Sequence, residues 1–492
     1  MSNSPRQLNQ PVLVGLDLGA RQSVFSSSSI LWESPSLLSL DEPSNVGSPV
    51  VTQLSQRPEQ VAQLATIFLG LSPQAVQTHG YDQLPFMLRC PSGEGIWFNS
   101  SLGEKKVEQV IAALLDGLLI DRINAPLCLS WVCFTSYSIA ARWRWRELLE
   151  ERSVSPPLSF SAPALAALAG GGEGLGAVFS FEAEQLGWSL LERGDGCVEL
   201  LYQRARLGWG RLSLELQLMR ELWSLLGEGS DELPQSPHVI QQLWWAAESL
   251  LSQLDMRREA EVSWPLGGET ERVLRLNQRM LRKLLAPLEE QVTRWVDESL
   301  LPLGLKPAEL RWLMLPEGAR GLWSAALRRT FPCAELIEIQ RNLLAEQARR
   351  AGEALMEGSL DAPVLLERSV SAYSLSLGES VRCPLLDADQ LLPATYTLRL
   401  PPPGREISLT LWRDDEEGSS ACVLGQQTAN EALQLRIMLD RYGCPQVSIH
   451  DAGGTPRLQL RPWLNQSVPF APPYSSANVS PRSQPLSFAG GL

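Results

Sequence analysis

The residues of this 492-residue chain best suited to chemistry are Asp17 and Gly19, in the run over 12–23. A short apolar strand breaks at an acidic side chain, and a glycine follows two positions later. A carboxylate placed there can hold a metal-bound water, and a glycine lets backbone amides approach a phosphate. Strand-Asp-x-Gly also makes an ordinary turn, so this feature alone leaves both readings open. The histidines, His79, His238 and His450, lie in unrelated segments, which leaves no Ser-His-Asp set and no zinc site. The glycine-rich run over 170–176 follows a helix rather than a strand, so it reads as a turn and not as a phosphate cradle. Arg142, Trp143, Trp145 and Arg152 sit among Glu147, Glu150 and Glu151. They read as a solvated amphipathic helix, the alternative being an aromatic surface for nucleic acid. Asp414, Asp415, Glu416 and Glu417 read as a solvated hairpin loop rather than a metal site.

The elements that must position these residues alternate between strand and helix. A strand–turn–strand covers 12–30, with a polar hairpin at 26–29. Ser101 and Glu104 have capping-box spacing before apolar Val107, Val110, Ile111, Leu114, Leu115, Leu118 and Leu119 at helical intervals. A buried strand is expected over 127–134, a helix through 151, a small-residue helix over 162–169, and strands over 176–181 and 188–192. The stretch 213–301 reads as largely helical, with Pro287 expected to kink or divide a helix. A strand over 311–315 follows Gly304 and Pro307. This mixture defines an α/β region over 12–360. Beyond the 361–370 linker, short strands separated by Gly, Pro and Asp turns define a compact β region over 371–466. Residues 1–11 and the Pro/Ser/Gly-rich tail 467–492 read as disordered.

Composition excludes several function classes. The net charge of −13 argues against nucleic acid as a partner, because a phosphate backbone needs a basic face. No apolar run is long enough to span a membrane. The eight cysteines show no C-x-x-C pairing and read as reduced thiols, which fits a cytoplasmic location. Sixteen tryptophans against seven tyrosines is an unusual ratio. Trp244 and Trp245 are expected in or beside the core, with a pigment or partner surface as the alternative.

Taken in order, several short motifs resemble the seventy-kilodalton heat-shock chaperones of the DnaK type. The run over 161–169 looks like that family's N-E-P-T-A-A-A-L-A helix, and Trp245-Ala246-Ala247-Glu248 looks like its E-A-A-E helix. Glu261 to Leu266 is similar to an I-x-L-P strand, Leu375-Ser376-Leu377-Gly378 to L-S-L-G, and Asp440 to Gly443 to D-x-D-G. The resemblance implies a two-lobed actin-like ATPase fold followed by a β-sandwich that grips peptides. Val364-Leu365-Leu366 falls in the apolar linker, and the helical lid is missing.

The resemblance also implies an ATP site, whose remnants would be Asp17, Gly19, Gly208, Glu248 and Arg320. Its chemistry is largely lost. The threonines of the first phosphate loop fall on Ala20 and Arg21. The second loop, D-L-G-G-G-T-F-D, falls on Ser180 to Gly187 and places Glu182 and Glu184 where glycines belong. The Glu of N-E-P-T falls on Ala162. One carboxylate about 5 Å from a phosphate charge costs roughly 3 kcal/mol at an effective dielectric near 20. The expectation is therefore a pseudo-ATPase with no catalytic or metal residues and no cofactor. It would hold client polypeptides or one assembly partner, with a J-domain co-chaperone as the partner the family adds. The alternative is a chaperone that binds ATP/Mg and hydrolyses it slowly, with Asp17 on the metal and Glu182 or Glu184 recruited as ligand.

Overall fold

The structure, a computed structural model, describes residues 11–460 except 92–94, 121, 124, 135–136, 195, 227–232, 266–270, 318, 360–363, 367–371, 378–381, 388–389, 401–406, 416–417, 428–432, 441–443 and 452–455. The expected terminal tails, most of the linker and the Arg441-Tyr442-Gly443 part of the D-x-D-G resemblance lie outside the described residues.

The first sheet begins with an antiparallel meander of β1 (Val12–Leu18), β2 (Gln22–Ser26) and β3 (Leu31–Pro35). After an insertion carrying short hairpins and α1 (Val107–Leu115), the chain returns as β4 (Leu127–Cys133). Every residue of β4 is buried, which is why it reads as an unbroken apolar run rather than an alternating one. Helix α2 (Ile139–Glu150) crosses over to β5 (Leu158–Ser161), and the sheet order is β5-β4-β1-β2-β3 with β5, β4 and β1 parallel.

Helix α3 (Ala162–Gly170) leads into a second sheet that repeats this plan. Strands β6 (Gly174–Phe181), β7 (Gln185–Gly194) and β8 (Cys197–Leu207) form the meander. Next come α4 (Arg211–Leu225), α5 (Pro237–Met256), a hairpin of β9 (Glu259–Pro265) and β10 (Glu271–Asn277), and α6 (Gln278–Leu300). Then β11 (Trp312–Pro316), α7 (Arg320–Thr330) and β12 (Glu335–Ile339) complete the order β12-β11-β6-β7-β8. Strands β6, β11 and β12 are parallel, as their counterparts are in the first sheet.

Helix α8 (Arg341–Glu357) follows the second sheet in sequence but packs on β1, β2 and β4 of the first. Apart from Leu344, its buried residues are small: Ala345, Ala348, Ala351 and Gly352. A Cβ on Gly15 of β1 would lie 2.0 Å from the Ala345 carbonyl oxygen, so glycine sets how closely the helix approaches. The Ser130 hydroxyl donates to the Ala348 carbonyl at 2.5 Å and ties α8 to β4.

Val364–Leu366, expected in the linker, form β13, which adds to the outer edge of β8 in parallel, Cys197 opposite Val364 and Glu199 opposite Leu366. The C-terminal region has two four-stranded antiparallel sheets, neither of them closed. Tyr373, Leu375 and Leu411 from one, and Leu435, Ile437 and Val447 from the other, join the main buried cluster. Arg146 of α2 donates to the Asp440 carboxylate at 2.7 Å, linking this region to the first sheet's crossover helix. No helix among the described residues is long and apolar enough to cross a membrane.

Several local expectations are corrected. Ser101 and Glu104 do not cap α1: Gly103–Lys106 is a strand, and the Lys106 N–H donates to the Gln109 side chain at 2.9 Å. The β9–β10 hairpin interrupts the helical stretch 213–301. Pro287 lies on an exposed face of α6 and does not divide it. Trp143 and Trp145 are buried rather than solvated, with Trp145 against Trp131 and Tyr137, so neither offers a face to a base. Trp244 is buried as expected, but Trp245 is exposed. Asp414 and Asp415 end the strand Ile407–Asp415, which forms an antiparallel hairpin with Gly418–Gln427, and Glu416 and Glu417 lie outside the described residues.

The close approach of α8 makes Gly15→Ala a sensitive test. Overpacking of this kind costs about 1–3 kcal/mol. We expect a lowered urea midpoint with an unchanged m-value in equilibrium unfolding.

Candidate functional site

Two turns from the two sheets face each other. The β1–β2 turn carries Gly19, Ala20 and Arg21, and the β6–β7 turn carries Glu182, Ala183 and Glu184. Gly19 and Ala20 of the first turn and Glu182 and Glu184 of the second line one cavity together with Thr66, Ile67, Phe134 and Tyr137. Measured at the centre of a water molecule it holds about 10 Å³, whereas sites for small-molecule ligands run to about 300–1,000 Å³.

Arg341, the first residue of α8, fills the space above the first turn. Its Nε and one Nη donate to the two oxygens of Asp17 at 3.0 and 3.1 Å. The guanidinium also lies over the Phe134 ring, 5.8 Å from the centroid. A Cβ on Gly19 would lie 1.5 Å from the Arg341 guanidinium, so this glycine makes room for a side chain of the protein itself. Asp17 is fully buried; burial pushes its carboxyl up, while the Arg341 guanidinium pulls it down. The Arg341 guanidinium is held charged by Asp17 and Glu182 despite its burial.

Arg21, on the same turn, reaches the helices that follow the second meander. It forms ion pairs with Glu215 of α4 and Glu248 of α5. Glu215 is fully buried and also accepts from Arg211 Nε at 2.9 Å and Trp244 Nε1 at 2.8 Å. Further bonds cross between the insertion and the second half: Gln63 to Gln241 at 2.8 Å, and the Tyr81 hydroxyl to the Glu184 carbonyl at 3.1 Å.

The β6–β7 turn is occupied as well. Its carbonyls accept from the backbone amides at the start of α4, Arg211 to Glu182 at 2.9 Å and Leu212 to Ala183 at 2.7 Å. The Gly208 amide donates to the Glu184 carbonyl at 2.8 Å. The first two amides that the start of α4 could offer to an anion are thus taken up within the chain. A Cβ on Gly210 would meet the Gln185 amide at 2.1 Å, which explains the glycine there.

Three carboxyls, Asp17, Glu182 and Glu184, thus surround one guanidinium. Burial pushes Glu182 up to about 7, with Glu184 and Asp17 adding to the rise and Arg341 opposing it. Glu184, which accepts from Gln185 Nε2 at 2.7 Å, is also raised, chiefly by burial. Among the described residues no group of three or more His, Cys, Asp or Glu is placed to hold a metal ion.

Four of the five expected site residues are thereby brought together. Asp17 and Gly19 lie under Arg341, Gly208 braces the second turn, and Glu248 is bound by Arg21. Arg320 opens α7. Sequence reasoning missed Arg341 and Glu215. The available signal was charge: the acidic turn at Glu182 and Glu184 requires a cation, which arrives from the distant start of an amphipathic helix. No protein-family model matches the chain, and no curated protein matches it.

Two outcomes test this geometry. Glu215→Ala should cost roughly 3 kcal/mol, because it takes the carboxylate from Arg211 and leaves Arg21 with Glu248 alone. Arg21→Ala should cost less, since Arg211 and Trp244 still serve the carboxylate; chemical denaturation of both variants checks the order. The second outcome concerns pH. Glu182 rises in the folded state from 4.5 to about 7, so the native state binds the extra proton. Stability is then highest below the unfolded value and falls as pH rises through the folded one. Glu182→Gln should flatten the melting temperature across that window and melt above the wild type at alkaline pH.

Proposed function

We propose that this protein is a nucleotide-free relative of the DnaK-type, actin-like ATPases and acts by holding a polypeptide, either varied clients or one assembly partner. The observation that carries this reading is the Arg341 guanidinium clamped on Asp17 and packed against Gly19. A metal-bound nucleotide would need Asp17 free and the space above Gly19 open. Arg341 takes both, and Arg21 engages Glu248 across the same cleft. The two sheets with one shared strand order support a duplicated, two-lobed actin-like architecture. The edge strand formed by Val364–Leu366, followed by two four-stranded antiparallel sheets, supports a linker and a β-sandwich that engages polypeptide. No step of hydrolysis is assigned to any residue.

Thermal denaturation with and without Mg-ATP tests the reading. A ligand at about 100 times its Kd stabilises by about 2.7 kcal/mol. We expect no shift at millimolar Mg-ATP, and affinity purification from native lysate should recover the same polypeptides with or without ATP. A clear stabilisation by Mg-ATP that disappears in Asp17→Ala would restore the slow-ATPase alternative and overturn the proposal.

A further inference from the structure

Away from the cleft, the junction of α5, β9 and α6 gathers positive charge on an otherwise acidic chain. Arg257 and Arg258 follow the end of α5, and their carbonyls accept from Gln278, at 3.2 Å from its side chain and 3.0 Å from its backbone. That places them beside Arg279 at the start of α6, with Arg282 and Lys283 one helical turn further on. All five side chains are exposed, and none makes an ion pair among the described residues. The neighbouring Arg275 is already paired with Glu261, at 3.3 Å.

Local stability does not account for the cluster. Arg257 at the end of α5 suits that helix's dipole, but Arg279, Arg282 and Lys283 sit near the start of α6, where cations are disfavoured. No acidic residue occupies that first turn. Arg279 and Lys283, four positions apart, repel each other, and neither Arg282 nor Lys283 has a carboxylate three or four positions away.

We propose that the cationic face of Arg257, Arg258, Arg279, Arg282 and Lys283 docks a short acidic polypeptide segment of a partner protein. Charge reach selects this partner class over an extended polyanion. With a net charge of −13, the chain as a whole repels a nucleic acid or an anionic membrane. Exposed charges act over about 8 Å at physiological salt, so a short acidic segment can meet the patch alone. Met280, 38% exposed between these cations, adds an apolar contact that a peptide can use. The proposal is independent of what the cleft holds.

The test uses the full chain and a fluorescein-labelled peptide of consecutive glutamates flanked by leucines, read by fluorescence polarisation. Wild type should bind it, and binding should weaken as salt rises from about 0.05 to about 0.3 M. The Arg279→Glu/Lys283→Glu double variant should bind about tenfold or more weakly while melting no lower than the wild type, and Arg257→Glu/Arg258→Glu should weaken binding to the same extent. A glutamine version of the peptide, a thymidine oligonucleotide and phosphatidylserine vesicles should bind more weakly than the acidic peptide. Absence of peptide binding, equal binding by the reversed variants, or tighter binding of the oligonucleotide or vesicles would overturn the proposal.

Discussion

The clamp of Arg341 on Asp17 joins residues 324 positions apart, and much of the α/β region is arranged around it. Burying a lone carboxylate in a protein interior is very costly, and the group neutralises unless a partner is built in. Here the partner arrives with α8, so seating that helix on the first sheet and satisfying Asp17 are one event. The small residues of α8, the bare backbone at Gly15 and the bond from Ser130 to Ala348 bring the helix close enough for its first residue to reach the carboxylate. Gly19 completes the arrangement, because any side chain there would displace the guanidinium.

The second arginine of the first turn acts differently. Around Arg21 the charges balance: two guanidinium groups, Arg21 and Arg211, meet two carboxylates, Glu215 and Glu248. Around Arg341 they do not, since Asp17, Glu182 and Glu184 surround one cation. The balanced network ties the first turn to α4 and α5. The unbalanced one needs a proton, and Glu182 is the group that takes it near neutrality. Pairing and protonation thus divide the work between two adjacent parts of one turn.

Much of the framework was legible in the sequence because its central strands are buried on both faces. β1 and β4 are apolar runs ended by turn residues, and the small-residue helix α3 follows where expected. β8 and β12 were not read, because they carry charge: Glu199, Arg204 and Arg206 in one, Glu335 and Glu338 in the other. Both contain half-buried positions, where apolar patterning is diluted. Of the facing turns, Ala20, Arg21, Glu182 and Glu184 were picked out in the sequence, but their partner Arg341 was not. Arg341 carries no local signal of its role; it is one arginine at the start of an amphipathic helix, and only the fold gives it a partner. The capping-box misreading at Ser101 has a similar origin, since a strand pairing of Trp97–Ser100 with Gly103–Lys106 overrode a local motif.

Closing a cleft with side chains rather than a ligand changes what can open it. A bound nucleotide holds two lobes together in proportion to its free concentration and releases them when it dissociates or is hydrolysed. Arg21 and Arg341 are part of the chain, so their local concentration is fixed and no exchange step removes them. In the proposed reading the protein gives up the nucleotide-driven cycle and keeps the closed arrangement. The edge strand Val364–Leu366 on β8 and the Arg146–Asp440 pair between α2 and the β region are contacts of the same fixed kind. Any opening would have to break the Arg21 and Arg341 ion pairs, whose carboxylates Glu215 and Asp17 are fully buried.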